Sequence, residues 1–463
     1  MMRSDTEKDD EMTIAGPTRP TPPTRRRVLR TALVAPLAPA LLAACGASST
    51  TQSAQSTLSD APVTVKFFKR GTIADADVEL MLKDWYAKHP TWKVELTQGK
   101  NNLEVLTPFL AGGEKIDLLG WYQTVRGLIL QTGIPKALDD YVRRDKYPVS
   151  RFSAKEVDLV GRSDGKLFAL FYAYGGNLTA TFYNRALFMQ AGVPEPPTEW
   201  NKAWTWDEFR GALRKLTKKS GATTTQVGMT NYGDPITSLL VHSDAKWITD
   251  DYKKIQADSP EVLQTLERWA DIVTKDGSAM DSQGVDLGTT NREQAFLTGR
   301  AAMHTVCCGP ANPARKFTDA GMDWGFAPSP KMKYTSPDFQ SNIVLVTKVG
   351  DRSDHAWELM KYLIEDNRWG APEGRVPAFL DDAHKWAKET FKNTPNARPE
   401  VVADGLKFAR PVDKIKYHPA GDALYKVIQP VLTEIWQGKA TVRAAISPLQ
   451  SQLQALMEQT PMG

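Results

Sequence analysis

The stretch VTVKFFKRGTIADADVELMLKDWYAKHPTWKVEL, Val63 to Leu96, carries the fold in outline. VTVKFFKRG alternates apolar and polar residues and stops on glycine, the pattern of a strand running into a turn. From Asp75 to His89, Val78, Leu82, Trp85 and Tyr86 recur at helical spacing, and Pro90 closes the segment. WKVEL, Trp92 to Leu96, predicts a second strand. A helix around Leu103 to Ala111 follows, and then the apolar run IDLLGWY at Ile116 to Tyr122. This βαβαβ order predicts a parallel sheet with helices on its faces. In such sheets ligands sit beyond the carboxyl ends of the strands. Those ends are Arg70 with Gly71, and Trp121 with Tyr122.

Working outward toward the N-terminus, residues 1–44 predict an export signal. TRRRVLR supplies a basic patch similar to the twin-arginine signal, and the apolar run from Ala32 to Ala44 is 13 residues long. A bilayer-spanning helix needs about 20, and Pro36 and Pro39 interrupt this one. Leu42, Ala43, Ala44 and Cys45 resemble a bacterial lipobox, in which the cysteine is acylated and becomes the first residue of the mature chain. An ordinary cleaved signal that happens to contain a cysteine is the competing reading. Residues 45–62 are then a polar tether, too poor in apolar surface to fold. As a flexible chain its 17 residues after Cys45 span roughly 20–25 Å.

About 400 residues remain, too many for one hydrophobic core and natural for two domains. The net charge of the whole chain is +4, and residues 1–44 hold seven Lys or Arg against five Asp or Glu. A near-neutral mature chain without basic clusters gives no footprint for nucleic acid. No second apolar run approaches spanning length, so the mature chain is expected to be soluble apart from its lipid. Beyond Cys45 the only cysteines are the neighbours Cys307 and Cys308, and no zinc spacing exists. That pair is either two buried thiols or a strained vicinal disulfide.

The middle of the chain holds KLFALFYAYGGNLTA at Lys166 to Ala180, followed by TFYNRALFMQAGVPEPPTEW at Thr181 to Trp200 and later TWDEF at Thr205 to Phe209. Further blocks come in order: FLTGRAAM (Phe296 to Met303), WGFAPSP (Trp324 to Pro330), SNIVLVTKVGDRSDHAWELMKYLI (Ser341 to Ile364) and IWQGKATVRAAISPLQSQL (Ile435 to Leu453). Together they resemble the bacterial extracellular solute-binding proteins of family 1, the maltose-binding-protein type, over essentially the whole mature chain.

The resemblance implies an α/β, two-lobed periplasmic-binding-protein type II fold with a hinge and an interlobe ligand cleft. Lobe one would be 62–175 plus 335–375, and lobe two 180–330 plus 376–459. Hinge crossings would fall near Tyr174 to Ala180, Lys331 to Asp338 and Gly374 to Pro377, with Gly175 and Gly176 suited to large backbone rotations. It further implies a non-catalytic component of an ABC importer, without cofactor or metal. Such a protein captures a sugar or oligosaccharide by closure and hands it to a membrane permease. It would act as a monomer, held on the outer face of the cell membrane by lipid on Cys45.

Ligand-contact candidates follow from position. Trp121 stands where sugar binders place a stacking aromatic, with core packing as the alternative, and Tyr122 alternates to the opposite side. Arg70 ends the first strand. Tyr172 and Tyr174 precede the first crossing and, two apart in a strand, are expected to share a face. Asn231, Tyr232 and Asp234 lie in a turn, where turn chemistry alone also explains them. Ser341 and Asn342 open a strand re-entering lobe one, and His418 lies in a loop expected to face the cleft.

Two departures limit the substrate assignment. CCGPANP, Cys307 to Pro313, stands where many sugar binders carry Trp, and no acidic residue follows Trp121. A secreted lipoprotein enzyme acting on carbohydrate and a non-transport solute sensor are the rival classes. The chain has no HExxH or P-loop string to favour the enzyme.

Overall fold

The computed structural model describes residues 58, 61–71, 75–99, 113–123, 126–174, 181–230, 238–280, 291–306, 309–339 and 341–460. The export signal with Cys45, most of the tether, the helix expected at Leu103 to Ala111, Gly175 and Gly176, Asn231, Tyr232, Asp234, Cys307 and Cys308 lie outside them.

Among the described residues two main sheets are built from β1 (Val63–Arg70), β2 (Trp92–Gly99), β3 (Leu118–Tyr122), β4 (Leu170–Tyr174), β5 (Thr181–Asn184), β6 (Lys218–Ser220), β7 (Thr223–Thr230), β8 (Ala301–Thr305), β9 (Trp324–Ala327), β10 (Ser341–Val346) and β11 (Val376–Pro377). The first sheet has the order β11-β4-β10-β3-β1-β2. Here β1 lies parallel to both β2 and β3, as the opening stretch predicts. The whole sheet is mixed rather than parallel, because β10 runs antiparallel to β3 and β4, and β11 antiparallel to β4.

Local sequence accounts for the elements. In β1, Val63 and Val65 point inward and Thr64 outward, whereas Phe67 and Phe68 are both buried because a central strand is covered on two faces. The helix Asp75–Lys88 buries Met81, Leu82 and Trp85. It is tied to the helix Ser353–Ile364 by Tyr362, whose hydroxyl donates to the Met81 carbonyl and accepts from the Trp85 amide, both at 3.0 Å. These elements share one apolar core with β3, β4 and β10.

The second sheet has the order β9-β5-β8-β7-β6. After β5, Asn184 caps the helix Arg185–Ala191 by accepting from the Leu187 amide, and Gly192 ends it in the left-handed region. Thr205 opens the helix Trp206–Leu216 with a full capping box, its hydroxyl accepting from Glu208 N and its own amide donating to the Glu208 carboxylate. The C-terminal helices Gly421–Trp436, Val442–Ile446 and Leu449–Glu458 pack into the core of this second half. Tyr174 pairs with both Ser341 and Val376, so β4 lies between β10 and β11 at this end of the first sheet. Among the described residues no helix is long and apolar enough to cross a membrane.

Candidate functional site

The carboxyl ends of β1 and β3 stand side by side, with Lys69 in register with Gly120. Side chains two apart on a strand share a face, so Gly120 and Tyr122 lie on the Lys69 side of the sheet. Asn342 of β10 pairs directly with Tyr122 and joins that face. Arg70, the last residue of β1, turns its guanidinium over the Tyr122 ring, 3.2 Å from its centre. That contact holds a planar, delocalised cation at the rim of the sheet.

Behind this rim lies an aromatic floor. Trp369 stacks on Tyr172 with ring centres 3.6 Å apart and planes within 5°, and meets Phe67 edge-on at 4.8 Å. The indole fits because position 120 is glycine: a Cβ there would overlap the ring. Beside the floor, Lys69 is 2% exposed, and its ammonium contacts Glu373 Oε1 at 3.2 Å and the Arg70 carbonyl at 3.1 Å. Glu373 Oε2 accepts from Arg375 Nε. Gly374, between the two, has φ +67°, so the tight turn that aims Glu373 and Arg375 suits glycine. The helix Ala311–Asp319 touches the same turn, Ala311 N donating to the Gly374 carbonyl at 3.3 Å. A helix that follows β8 of the second sheet and the turn that precedes β11 of the first thus meet here.

Burial lowers the Lys69 pKa, Glu373 opposes that shift, and Arg375 and Arg70 add to it. For Glu373, burial alone would act upward, but the Arg375 guanidinium and the Lys69 ammonium hold it below the usual carboxylate value. Among the described residues the edge thus brings together Lys69, Arg70 and Arg375 with Glu373. Among the described residues no group of His, Cys, Asp and Glu is arranged to hold a metal ion.

Of the residues singled out in sequence, Arg70, Tyr122 and Asn342 converge at this edge. Tyr172 belongs to the aromatic floor behind it, and Trp121, Tyr174, Ser341 and His418 are placed elsewhere. Trp121 is 2% exposed and stacks on Phe68, centres 5.9 Å apart, so its ring packs in the core rather than standing open to a solute. Tyr172 and Tyr174 do not share a face. A β-bulge between β4 and β10 makes the register step from Ala173 directly to Phe171, which breaks the two-residue alternation. Tyr172 therefore meets Trp369, whereas the Tyr174 hydroxyl accepts from the Ser153 amide at 3.3 Å.

Ser341 is buried, and its hydroxyl lies between Gln123 Oε1, at 2.8 Å, and Glu156 Oε1. Burial raises the Glu156 pKa well above its ordinary value, with the Ser341 contact opposing. His418 is also buried, contrary to the expectation of a cleft-facing loop, and its Nδ1 accepts from the Ala420 amide at 3.1 Å. Burial lowers its pKa. Lys69, Trp369, Glu373 and Arg375 were not expected from sequence. The usable signals were the position of Lys69 one residue before Arg70 and the Glu-Gly-Arg turn at an expected crossing.

Two cavities lie away from this edge. One, of about 910 Å³, opens between the helix Pro260–Ala270 and Gly438 to Arg443, and another, of about 310 Å³, lies between Lys155 and Asp413.

The fold is similar to that of an ABC substrate-binding protein from Listeria monocytogenes in complex with cycloalternan. The TM-score is 0.71 at 19% identity, over 86% of this chain and 99% of that one. The sugar-binding protein MalE from Xanthomonas citri matches with a TM-score of 0.70 at 18% identity, over 86% and 98%. UgpB from Mycobacterium tuberculosis in complex with glycerophosphocholine matches with 0.68 at 16% identity, also over 86% and 98%. A model of the bacterial extracellular solute-binding protein family matches residues 70–366, well over half of the 463 residues, and the chain belongs to that family.

Proposed function

We propose that this chain is the solute-capturing lipoprotein of an ABC importer, exported by its N-terminal signal and anchored outside the cell membrane through lipid on Cys45. Its solute is a sugar or oligosaccharide, bound between the two lobes and passed unchanged to a permease. The observation that carries this reading is the convergence of Arg70, Tyr122 and Asn342 at the carboxyl edge of the first sheet, where strands of such sheets present their ligands. Tyr122 offers an aromatic face and the other two offer donors, the combination that holds a polyhydroxylated ring. The similar folds in complex with cycloalternan or described as sugar-binding support the same class.

Lobe one comprises 62–175 plus 335–375 in this proposal, and lobe two 180–330 plus 376–459. A ligand touching both favours the closed arrangement by its differential affinity for it. The test is a thermal-shift screen of sugars and oligosaccharides, followed by chromatography of the recovered solute and by small-angle scattering with and without it. Stabilisation, an unchanged solute and a smaller radius of gyration are expected. Chemical turnover of the solute, or no stabilisation by any sugar, would overturn the proposal.

A further inference from the structure

The smaller of the two cavities away from the first edge, of about 310 Å³, is walled by elements of both halves of the molecule. On one side stand Lys155 and Leu159, and Leu159 packs against the core of the first sheet. Lys246, Asp250 and Ala245 also line it, and Ala245 belongs to the core of the second sheet. A third wall is the short strand Arg410–Pro411, which lies parallel to Asp338–Phe339, the stretch that leads into β10. This volume is at the lower end of small-molecule pockets and well above what a single water needs.

The carboxylates of the lining already have their partners. Asp250 is shared by Lys246, at 2.8 Å, and Lys414, at 3.3 Å, and Asp244 pairs with Lys333 at 2.8 Å. The two carboxyl oxygens of Asp413 accept from the Trp247 and Ile415 amides, both at 2.9 Å. Burial also pushes the Asp413 pKa up to about 7, so near neutrality part of its charge is gone. Two cations of the lining are different. Neither the Arg410 nor the Lys155 side chain makes an ion pair or a hydrogen bond among the described residues.

Arg410 is also held in place. Its guanidinium lies over the Tyr334 ring, 3.4 Å from the ring centre. A ring face orients the guanidinium plane but takes up none of the N–H donors that lie in it. A carboxylate or phosphate brings acceptor oxygens only, and a guanidinium fork meets either group in two parallel bonds. A cation entering this cavity finds no unshared carboxylate, and a neutral solute leaves both cations unmatched. Leu159, Val241 and Val412 add apolar wall for an organic body.

We propose that this cavity is a second binding site, for a small organic anion carrying a carboxylate or phosphate group, received by Arg410 with Lys155 in the same lining. This ligand is distinct from the solute captured at the edge of the first sheet, and its site does not depend on that capture.

Titration calorimetry on the full chain tests it. Succinate is compared with succinamide, and sn-glycerol 3-phosphate with glycerol, so that the carboxylate and phosphate arms stay apart. In about 20 mM salt at least one anion is expected to bind about tenfold more tightly than its neutral partner, and that advantage to shrink several-fold in about 0.5 M NaCl. Arg410→Gln is expected to weaken that anion about fivefold or more, and Arg410→Lys less, because a charge remains without the fork. Lys155→Gln, at an exposed position, is expected to weaken it about twofold. Far-UV circular dichroism checks that each variant is folded, and the salt series on the unaltered chain needs no variant. Equal or tighter binding of the neutral partners overturns the proposal. Anion binding that Arg410→Gln leaves unchanged places the anion elsewhere and also overturns it.

Discussion

Each of the two sheets carries an arginine–tyrosine contact near its edge, and similar residues serve different ends there. At the second sheet, Arg185 and Arg398 lie 5.1 and 5.7 Å from the centre of the Tyr183 ring. Glu195 Oε2 accepts from the Tyr183 hydroxyl at 2.7 Å, from Arg185 at 2.9 Å and from Arg398 at 2.5 Å, and Asp323 pairs with Arg185 at 3.2 Å. Two cations face two carboxylates, and the polar groups spend their capacity on one another. The result is a fastener that ties residues 395–398 to the second sheet. At the first sheet, Arg70 covers Tyr122 beside the Lys69–Glu373–Arg375 cluster, and the buried Asn342 Nδ2 has no hydrogen-bond partner among the described residues. That amide is left over, and a leftover donor is what a binding edge needs.

The largest expected effect tests whether the first edge depends on its aromatic floor. Trp369→Ala removes the ring between Phe67 and Tyr172 and should cost about 3–5 kcal/mol in urea unfolding. A loss below about 1 kcal/mol would mean that the edge stands without that floor. Next comes the fastener. Glu195→Gln should cost about 1–2 kcal/mol, the low end for a charged cluster because Glu195 is 39% exposed and solvent screens it, with no change in solute affinity. A loss of affinity as large as that caused by replacing Arg70 with Ala would erase the distinction between the two edges.

The smallest effect is a matter of sign. Because burial raises the Glu156 pKa, the folded chain keeps a proton that the unfolded chain releases once the pH passes the ordinary carboxylate value. Stability of the unaltered chain therefore falls as the pH rises through that window. Glu156→Gln has no proton to lose, so its thermal midpoint relative to the unaltered chain should rise between pH 4 and pH 8, by about 2–4 °C. A difference that stays flat would mean the carboxyl is already ionised in the fold.

Much of the architecture was legible because the signals are local. Asn184 and Gly192 bracket a helix, Thr205 and Glu208 open another, and Val63 to Leu96 reads as strand, helix and strand. The direction of β10 was not legible: SNIVLV is buried throughout, and a fully buried strand carries no mark of which neighbour it opposes. Nor was the bulge at Tyr172, since LFYAY contains neither glycine nor proline to flag an interruption. Arg70 could be found from its place at a strand end. Lys69 could not, because lysine is ordinarily read as exposed and its partner Glu373 is distant in sequence. Trp121 and Trp369 look alike in sequence, and only the packing against Phe68 in one case and Tyr172 in the other separates them.

The fit of Trp369 over Gly120 also constrains the history of the protein. Alanine at position 120 has no room until the indole shrinks, and a smaller residue at position 369 leaves a hollow beneath Tyr172 until position 120 fills it. Either order of substitution passes through a less stable ancestor. The two positions, far apart in the chain, are therefore energetically coupled, and the cost of exchanging both is expected to fall below the sum of the two single costs.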